Sequence, residues 1–279
     1  MIFAPEIAVN VGEFYGEKLE EIFPLISSLN INYVELPTPM VLETGLRETQ
    51  ELLTKYNLRV SAINSWAHLA VKENSRLESL RVEKSIEVSK ALRVGRIIIY
   101  YGGDERSLKL FKANIKPFIK EESIIFALEN EFSGDATAEA HSLKRIMEEL
   151  PFPNLKINFD PANFYMAGEE PFPYAFHLLR DFINYIHLKD VRKVGTVEGK
   201  GKGTSYEEEG RKIWIGGKAG DTAYLSVPLG EGAINYEGFF QAMKEERYCG
   251  FLSLEPHTTK RRIWEILRKN IKYIREHLG

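Results

Sequence analysis

Short apolar runs alternate along the chain with longer stretches in which apolar side chains recur at helical spacing. The short runs are rich in Val, Ile, Phe and Tyr and mostly stop at a turn-forming residue, which predicts β-strands. The longer stretches include residues 75–93, 135–150 (with Asp135 as the expected N-cap) and 259–278, which read as amphipathic helices. The predicted strands cover residues 7–10, 32–36, 59–64, 96–101, 123–129, 155–160, 183–189 and 250–255.

Eight strands, each followed by a predicted helix, favour parallel pairing, because a crossover helix joins parallel neighbours. The expected fold class is α/β, with residues 1–279 forming one domain. The number of units suits an eight-stranded (β/α)8 TIM barrel, and a doubly wound open sheet has the same alternation. No G-x-G-x-x-G or G-x-x-x-x-G-K-[ST] motif follows an early strand, so the usual nucleotide-binding folds lose their main support.

A glycine-rich stretch after the seventh predicted strand breaks the alternation. Within it, residues 212–215 and 224–227 flank the turn sequence GGKAGD, which predicts a β-hairpin. We expect residues 193–227 to form a lid or hairpin insertion, since long connections in compact domains are usually functional or disordered. A solvated insertion is the alternative, and Trp214 favours contact with a ligand or partner.

Composition narrows the function classes. The formal net charge is −3, from 37 basic and 40 acidic residues, which argues against a dedicated nucleic-acid binder. No apolar run approaches the ~20 residues needed to span a bilayer, and the N-terminal residues lack a basic region typical of a secretory signal. The single cysteine, Cys249, excludes a disulfide framework within the chain. We expect a cytoplasmic protein without a membrane or nucleic-acid partner.

Four of the later predicted strands carry a polar residue near the carboxyl end, next to an apolar residue of opposite parity. These residues are Glu129, Asp160, His187 and Glu255. Because side chains alternate across a strand, they would face the interior of a barrel at its carboxyl face, where catalytic residues of barrels gather.

Three carboxylates and one imidazole form a coherent ligand set for one divalent metal. Oxygen-rich coordination with a single nitrogen suits Mn²⁺, Mg²⁺ or Co²⁺, with Zn²⁺ as a further candidate. A single inward glutamate is often a salt-bridged core charge, and four such residues at matching strand positions favour a shared site.

The chain resembles the xylose-isomerase-like TIM barrels, and within them the sugar and sugar-phosphate isomerases and epimerases, including ketose 3-epimerases. The similarity covers the C-terminal half in the family's order, and the N-terminal half only in outline through YVELP at 33–37. The matching pieces are FALENE at 126–131, KINFDPANF at 156–164, INYIHLKD at 183–190, PLGEGAINYEGF at 228–239 and FLSLEPH at 251–257.

The resemblance implies that Glu129, Asp160, His187 and Glu255 are the metal ligands, and that Glu129 and Glu255 also act as acid and base. The implied activity is metal-dependent proton transfer next to the carbonyl of a sugar, sugar phosphate or keto-polyol, through an enediolate. Epimerisation and isomerisation are the expected outcomes, and loss of a β-hydroxyl would make the enzyme a dehydratase. Relatives are often homo-oligomers, so the resemblance also implies a homo-oligomer.

Other residues are candidates for substrate binding. Glu35 has inward parity, with a core salt bridge as the alternative, and His68 and Trp66 lie just past the third strand. Lys189 shares the parity of His187 and is expected to pair with Asp190. Arg192 would lie near the distal oxygens of the substrate, where related epimerases use an arginine, although its spacing is off by one.

Asn163 stands where several relatives carry histidine, and it can hydrogen-bond a hydroxyl but is a poor metal ligand. This departure disfavours the apurinic endonucleases of the same superfamily, which hold three zinc ions with many histidines. This chain has six histidines and no Asp-x-His after the seventh strand. A non-catalytic sugar-binding barrel is the remaining alternative, and the paired glutamates disfavour it.

Overall fold

The computed structural model describes residues 5–278. Its strands are β1 Glu6–Asn10, β2 Tyr33–Pro37, β3 Arg59–His68, β4 Arg96–Tyr100, β5 Ile125–Glu129, β6 Leu155–Phe159, β7 Ile183–Leu188, β8 Asp190–Thr196, β9 Ser205–Glu208, β10 Arg211–Gly216, β11 Thr222–Val227 and β12 Phe251–Leu254. Its α-helices are α1 Leu19–Ser28, α2 Thr38–Thr44, α3 Leu46–Lys55, α4 Ser75–Leu92, α5 Leu108–Ile115, α6 Ala140–Glu149, α7 Pro161–Ala167, α8 Phe176–Leu179, α9 Tyr236–Glu245 and α10 Ile263–Leu278.

Eight strands close into a parallel barrel in the order β1-β12-β7-β6-β5-β4-β3-β2. This closure confirms the predicted (β/α)8 TIM barrel and removes the open-sheet alternative. The alternation of side chains divides the apolar residues into two layers. Leu128, Phe159 and Leu254 are fully buried in the large layer to which the helices contribute, whereas Ala127 and Tyr185 belong to a small cluster of their own.

Several predicted elements differ from the structure at their ends; the last helix, for example, begins at Ile263 and not at residue 259. Strand β3 continues to His68, because an irregularity in its pairing with β4 lets the chain resume extended structure past Asn64. Asp135 caps a short 3₁₀ turn at Ala136–Ala138 by accepting the Thr137 N–H, so α6 begins only at Ala140.

The insertion after β7 forms a second, antiparallel sheet in the order β8-β11-β10-β9. Strands β10 and β11 form the predicted hairpin, and Gly217 in its turn adopts a φ of +81°, which favours glycine. Strand β8 follows β7 after a single residue, so the sheet grows directly from the carboxyl face of the barrel. Across residues 5–278, the helices lack the length and apolar character that a membrane span requires.

Candidate metal centre and cavity

The structure brings Glu129, Asp160, His187 and Glu255 together at the carboxyl face of the barrel. Glu129 ends β5, Asp160 and Glu255 directly follow β6 and β12, and His187 lies in β7. One ligand atom from each lies within 4.8 Å of the others, and all four residues are buried. Parallel strands of a closed barrel bring their carboxyl ends to one rim, which explains the convergence of residues distant in sequence.

Glu35, beneath the cluster, fixes the orientation of the His187 ring. Its Nε2 lies 2.8 Å from Glu35 Oε2, while its Nδ1 faces Glu129 Oε1 at 3.1 Å and Glu255 Oε2 at 3.4 Å. Glu35 is fully buried and also accepts hydrogen bonds from Asn64 Nδ2 and Ser253 Oγ. Despite burial, the carboxylates of Glu129, Glu35 and Glu255 raise the His187 pKa well above its usual range. A divalent cation at Nδ1 would displace the proton there while Nε2 keeps donating to Glu35, which is the usual arrangement of a metal-binding histidine.

Lys189 brings a positive charge to the cluster. Its Nζ lies 2.6 Å from Glu255 Oε2 and 2.8 Å from Asp160 Oδ2, and the residue is 1% exposed. Burial opposes the charge, but the carboxylates of Asp160 and Glu255 outweigh it and raise the Lys189 pKa. The expected pair with Asp190 is wrong, because Asp190 turns away and accepts the backbone N–H groups of a following loop.

The remaining charge at the centre is negative and fits a bound cation. Burial raises the pKa of Glu129 against the opposing charge of His187, and burial together with the neighbouring Glu129 raises the Glu131 pKa. The Glu255 pKa is held well below its usual range, since Lys189, His257 and His187 outweigh the effect of burial. Carboxyl groups whose protonation is favoured by burial would regain their charge beside a cation. Oxygen donors with one imidazole nitrogen suit Mn²⁺, Mg²⁺ or Co²⁺.

A cavity of about 250 Å³ opens above this centre. Of the predicted substrate-binding residues, Trp66, His68, Asn163 and Lys189 line it, and Glu35 lies beneath it. The lining comprises Asn10, Gly12, Glu13, Asn64, Trp66, His68, Tyr100, Glu129, Glu131, Phe132, Asn163, Lys189, Glu255 and His257.

The structure does not support a substrate-binding role for Arg192. The residue is exposed on β8 and lines a different cavity, together with Glu209 and Arg262. The expectation failed because β8 belongs to the antiparallel sheet, so Arg192 no longer follows the parity of the barrel strand before it.

Trp66 and His68 reach the cavity because β3 is irregular there. Trp66 adopts a φ of +52°, and its backbone N–H donates to the Asn64 side chain. The His68 ring stacks on Tyr100 with 5.1 Å between ring centroids. Burial lowers the His68 pKa despite the nearby Glu78, so the imidazole is neutral at physiological pH.

Asn163 is held at the cavity wall by its amide group. Its Nδ2 donates to the Asn130 carbonyl at 2.8 Å. Its buried Oδ1 has no hydrogen-bond partner within the described residues. An acceptor held in this way at the cavity wall is available to a ligand hydroxyl.

Sequence reasoning missed several cavity residues. Asn10 ends β1 and Glu13 lies three residues further on, and Asn10 Nδ2 donates to Glu255 Oε1 at 2.7 Å across 245 positions of sequence. Only Glu131 had a local signal, because it lies two residues after Glu129 and shares its parity. Asn10 and Glu13 could not be assigned to the cavity from the sequence, because they reach it only through the pairing of the first and last barrel strands.

The insertion packs against two residues that line the cavity, His257 and Phe132. The Trp214 ring stacks on His257 at 4.7 Å, and its Nε1 donates to the His257 carbonyl at 3.2 Å. Phe132 meets the same indole edge-on. His257 in turn has Nε2 3.4 Å from both Glu13 and Glu255. The antiparallel sheet therefore holds part of the cavity wall in position.

The model of the xylose isomerase-like TIM barrel family matches residues 23–277, and the chain belongs to that family. It is 25% identical over 133 residues to a 3-dehydroshikimate dehydratase from Bacillus anthracis, a match of 48% of this chain and 42% of the relative. It is 32% identical over 135 residues to an inosose dehydratase from Mesomycoplasma hyopneumoniae, a match of 47% of this chain and 41% of the relative. The matches thus span about two fifths of each relative's length.

A solved D-allulose 3-epimerase from Methylomonas sp., in complex with D-allulose, superposes with a TM-score of 0.72 over 99% of each chain. The two sequences are 14% identical, so this likeness shows the fold alone. Proteins similar to this chain in sequence or in fold thus carry the names of dehydratases and of an epimerase.

Proposed function

We propose that the protein is a divalent-metal-dependent enzyme that moves a proton at the carbon next to the carbonyl of a small polyhydroxylated ketone, as an isomerase or epimerase. One observation carries this proposal. Two buried glutamates, Glu129 and Glu255, approach the same Nδ1 atom of His187 from separate strands, beside Asp160 and at the floor of a cavity.

Glu129, Asp160, Glu255 and His187 Nδ1 would hold the metal. A divalent cation there supplies positive charge that stabilises an oxyanion developing at the carbonyl of the substrate. One glutamate accepts the proton from the carbon next to the carbonyl, and the other delivers a proton to the opposite face or to the adjacent carbon. Asn158 and Asn10 fix these carboxylates by donating to Glu129 Oε2 at 3.0 Å and Glu255 Oε1 at 2.7 Å.

A dehydratase is the second candidate. The two sequence relatives carry dehydratase names, and the same proton removal starts the loss of a β-hydroxyl group. The two outcomes differ after the first step, at the fate of the hydroxyl on the next carbon. Elimination leaves an unsaturated ketone, whereas isomerisation and epimerisation keep all hydroxyl groups.

Solvent exchange tests the shared step. The purified full chain, stripped with EDTA and reloaded with Mn²⁺, is incubated in D₂O with neutral ketoses and inososes. The mixture is quenched and freed of Mn²⁺ before proton NMR. We expect loss of the signal at a carbon next to the carbonyl, and the products distinguish isomer, epimer and dehydrated ketone.

Variants then assign the roles. Glu129→Gln and Glu255→Gln should each lower exchange by at least about a hundredfold, the usual contribution of a positioned acid or base. Glu73 is exposed and is not among the residues that line the cavity, so Glu73→Gln is the matched control with the same chemical change. Exchange that survives in both active-site variants would show that the acid and base are elsewhere.

A further inference from the structure

The charges around the cavity select the chemical class of the substrate. Six carboxyl groups lie at its wall or directly beneath it, in Glu13, Glu35, Glu129, Glu131, Asp160 and Glu255. The cationic side chain that lines it is Lys189, and no arginine is among the lining residues within positions 5–278. A divalent cation would neutralise two of these groups and leave the surroundings negative.

The ammonium group of Lys189 is already engaged by acceptors of the site. An ammonium group carries three donor hydrogens. Three acceptors already surround Lys189 Nζ: Glu255 Oε2 at 2.6 Å, Asp160 Oδ2 at 2.8 Å and His257 Nδ1 at 3.3 Å. Because the ammonium can only donate, His257 Nδ1 accepts from it, and Nε2 of the same ring lies 3.4 Å from both Glu13 and Glu255.

Cations near the rim are engaged elsewhere. Arg81 donates to the Trp66 carbonyl at 2.7 Å and pairs with Glu78. Lys212 lies over the face of Trp214, 4.5 Å from the ring centroid, and is absent from the cavity lining. A phosphate or carboxylate in the cavity would therefore meet carboxylates without the bidentate or ammonium contacts that bind such groups.

Neutral groups make up the rest of the wall. Asn10, Asn64, Asn163 and Tyr100 offer amide and phenol groups, and His68 is a neutral imidazole. Trp66 and Phe132 add aromatic surface. Such groups suit hydroxyls and C–H faces of an uncharged polyol.

We infer that the substrate is an uncharged polyhydroxylated ketone that carries neither phosphate nor carboxylate. The inference rests on the proposed function and narrows it. Of the two compound classes in the relatives' names, it selects an inosose and excludes 3-dehydroshikimate, which carries a carboxylate. It also disfavours sugar phosphates and phosphodiesters.

The test uses ketones that differ in charge. D-Allulose and its 6-phosphate form a matched pair, and inosose and 3-dehydroshikimate form a second pair; each is supplied to the Mn²⁺-loaded full chain. We expect kcat/KM for D₂O exchange or turnover to favour the neutral member by about tenfold or more, because like charges repel strongly in a partly buried site. Equal or better use of the phosphate or carboxylate would overturn the inference and leave the proposed function standing.

A variant isolates the electrostatic cause. Glu131→Gln removes one carboxyl group of the wall with little change of shape, and should narrow the preference for the neutral member of each pair. Glu73→Gln, with the same substitution at an exposed position, should leave the ratio unchanged. A thermal unfolding curve confirms that each variant folds, and an unaltered ratio in Glu131→Gln would contradict the charge argument.

Absence of any turnover would defeat the proposed function and still leave the inference testable. The thermal shift of the Mn²⁺-loaded protein is then measured with each member of the two pairs. Stabilisation by the neutral compound alone supports the inference. Equal or greater stabilisation by the charged compound refutes it.

Discussion

Replacing Glu35 with glutamine should weaken metal binding while leaving the fold nearly as stable. Glu35 Oε1 accepts from Asn64 at 3.0 Å, and Oε2 accepts from His187 Nε2 and Ser253 Oγ, each at 2.8 Å. A glutamine amide has one acceptor and one donor end. With its oxygen facing Asn64, its NH₂ group faces His187 Nε2, which must then accept.

This exchange of roles moves the imidazole proton to Nδ1, the atom that faces Glu129 and Glu255. A protonated Nδ1 donates to the carboxylates and cannot bind a metal. Restoring the metal-binding tautomer sets two donors against each other in a fully buried place, at a cost of about 1–3 kcal/mol. That cost corresponds to a loss of about 5- to 150-fold in metal affinity. Replacing a residue that hydrogen-bonds to a metal ligand typically lowers metal affinity by ~10- to 100-fold, which is the same range.

Titration calorimetry of the EDTA-stripped protein with Mn²⁺ measures the affinity, and urea unfolding in EDTA measures the metal-free stability. Glu73→Gln is again the control. If Glu35→Gln binds Mn²⁺ as tightly as the unmodified chain, the Nδ1 assignment is wrong. Failure of the unmodified chain to bind any divalent ion would instead refute the metal centre itself.

Three further perturbations test the electrostatics and packing around the site. Lys189→Met should lower the free energy of unfolding in EDTA by about 3–5 kcal/mol, because it leaves two buried carboxylates without their cation; a urea titration showing under about 1 kcal/mol would contradict this. Gly232→Ala should lower the free energy of unfolding in EDTA by about 1–3 kcal/mol, because the added Cβ would lie 1.9 Å from Asp190 Oδ1. Its control, Gly195→Ala, should change that free energy little, because no atom lies within 4 Å of the added Cβ. His68 has a folded pKa below its usual 6.5, so its contribution is fully present above that pH and is lost as pH falls below it; His68→Phe should flatten this part of the stability profile, and an unchanged slope would argue against a buried neutral imidazole.

The local pattern was enough for the alternating strands and helices and for the four convergent residues, whereas the choice of a closed barrel over an open sheet needed the family resemblance. Strand periodicity assigns Glu129, Asp160 and Glu255 to the inner side of their strands, and equal strand polarity brings their ends to one rim. The periodicity and the direction of a strand are set by a few neighbouring residues, so both can be predicted from the sequence.

Contacts between distant segments required the tertiary structure. The bond from Asn10 to Glu255 depends on the closure of β1 against β12, and the pairing of Lys189 with Asp160 depends on a side-chain conformation that parity does not specify. Arg192 left the barrel register because the chain changes sheets just before it. Which side chains line the cavity, and which partner each one contacts, depends on the packing of all the elements in three dimensions. Strand periodicity contains no information about that packing.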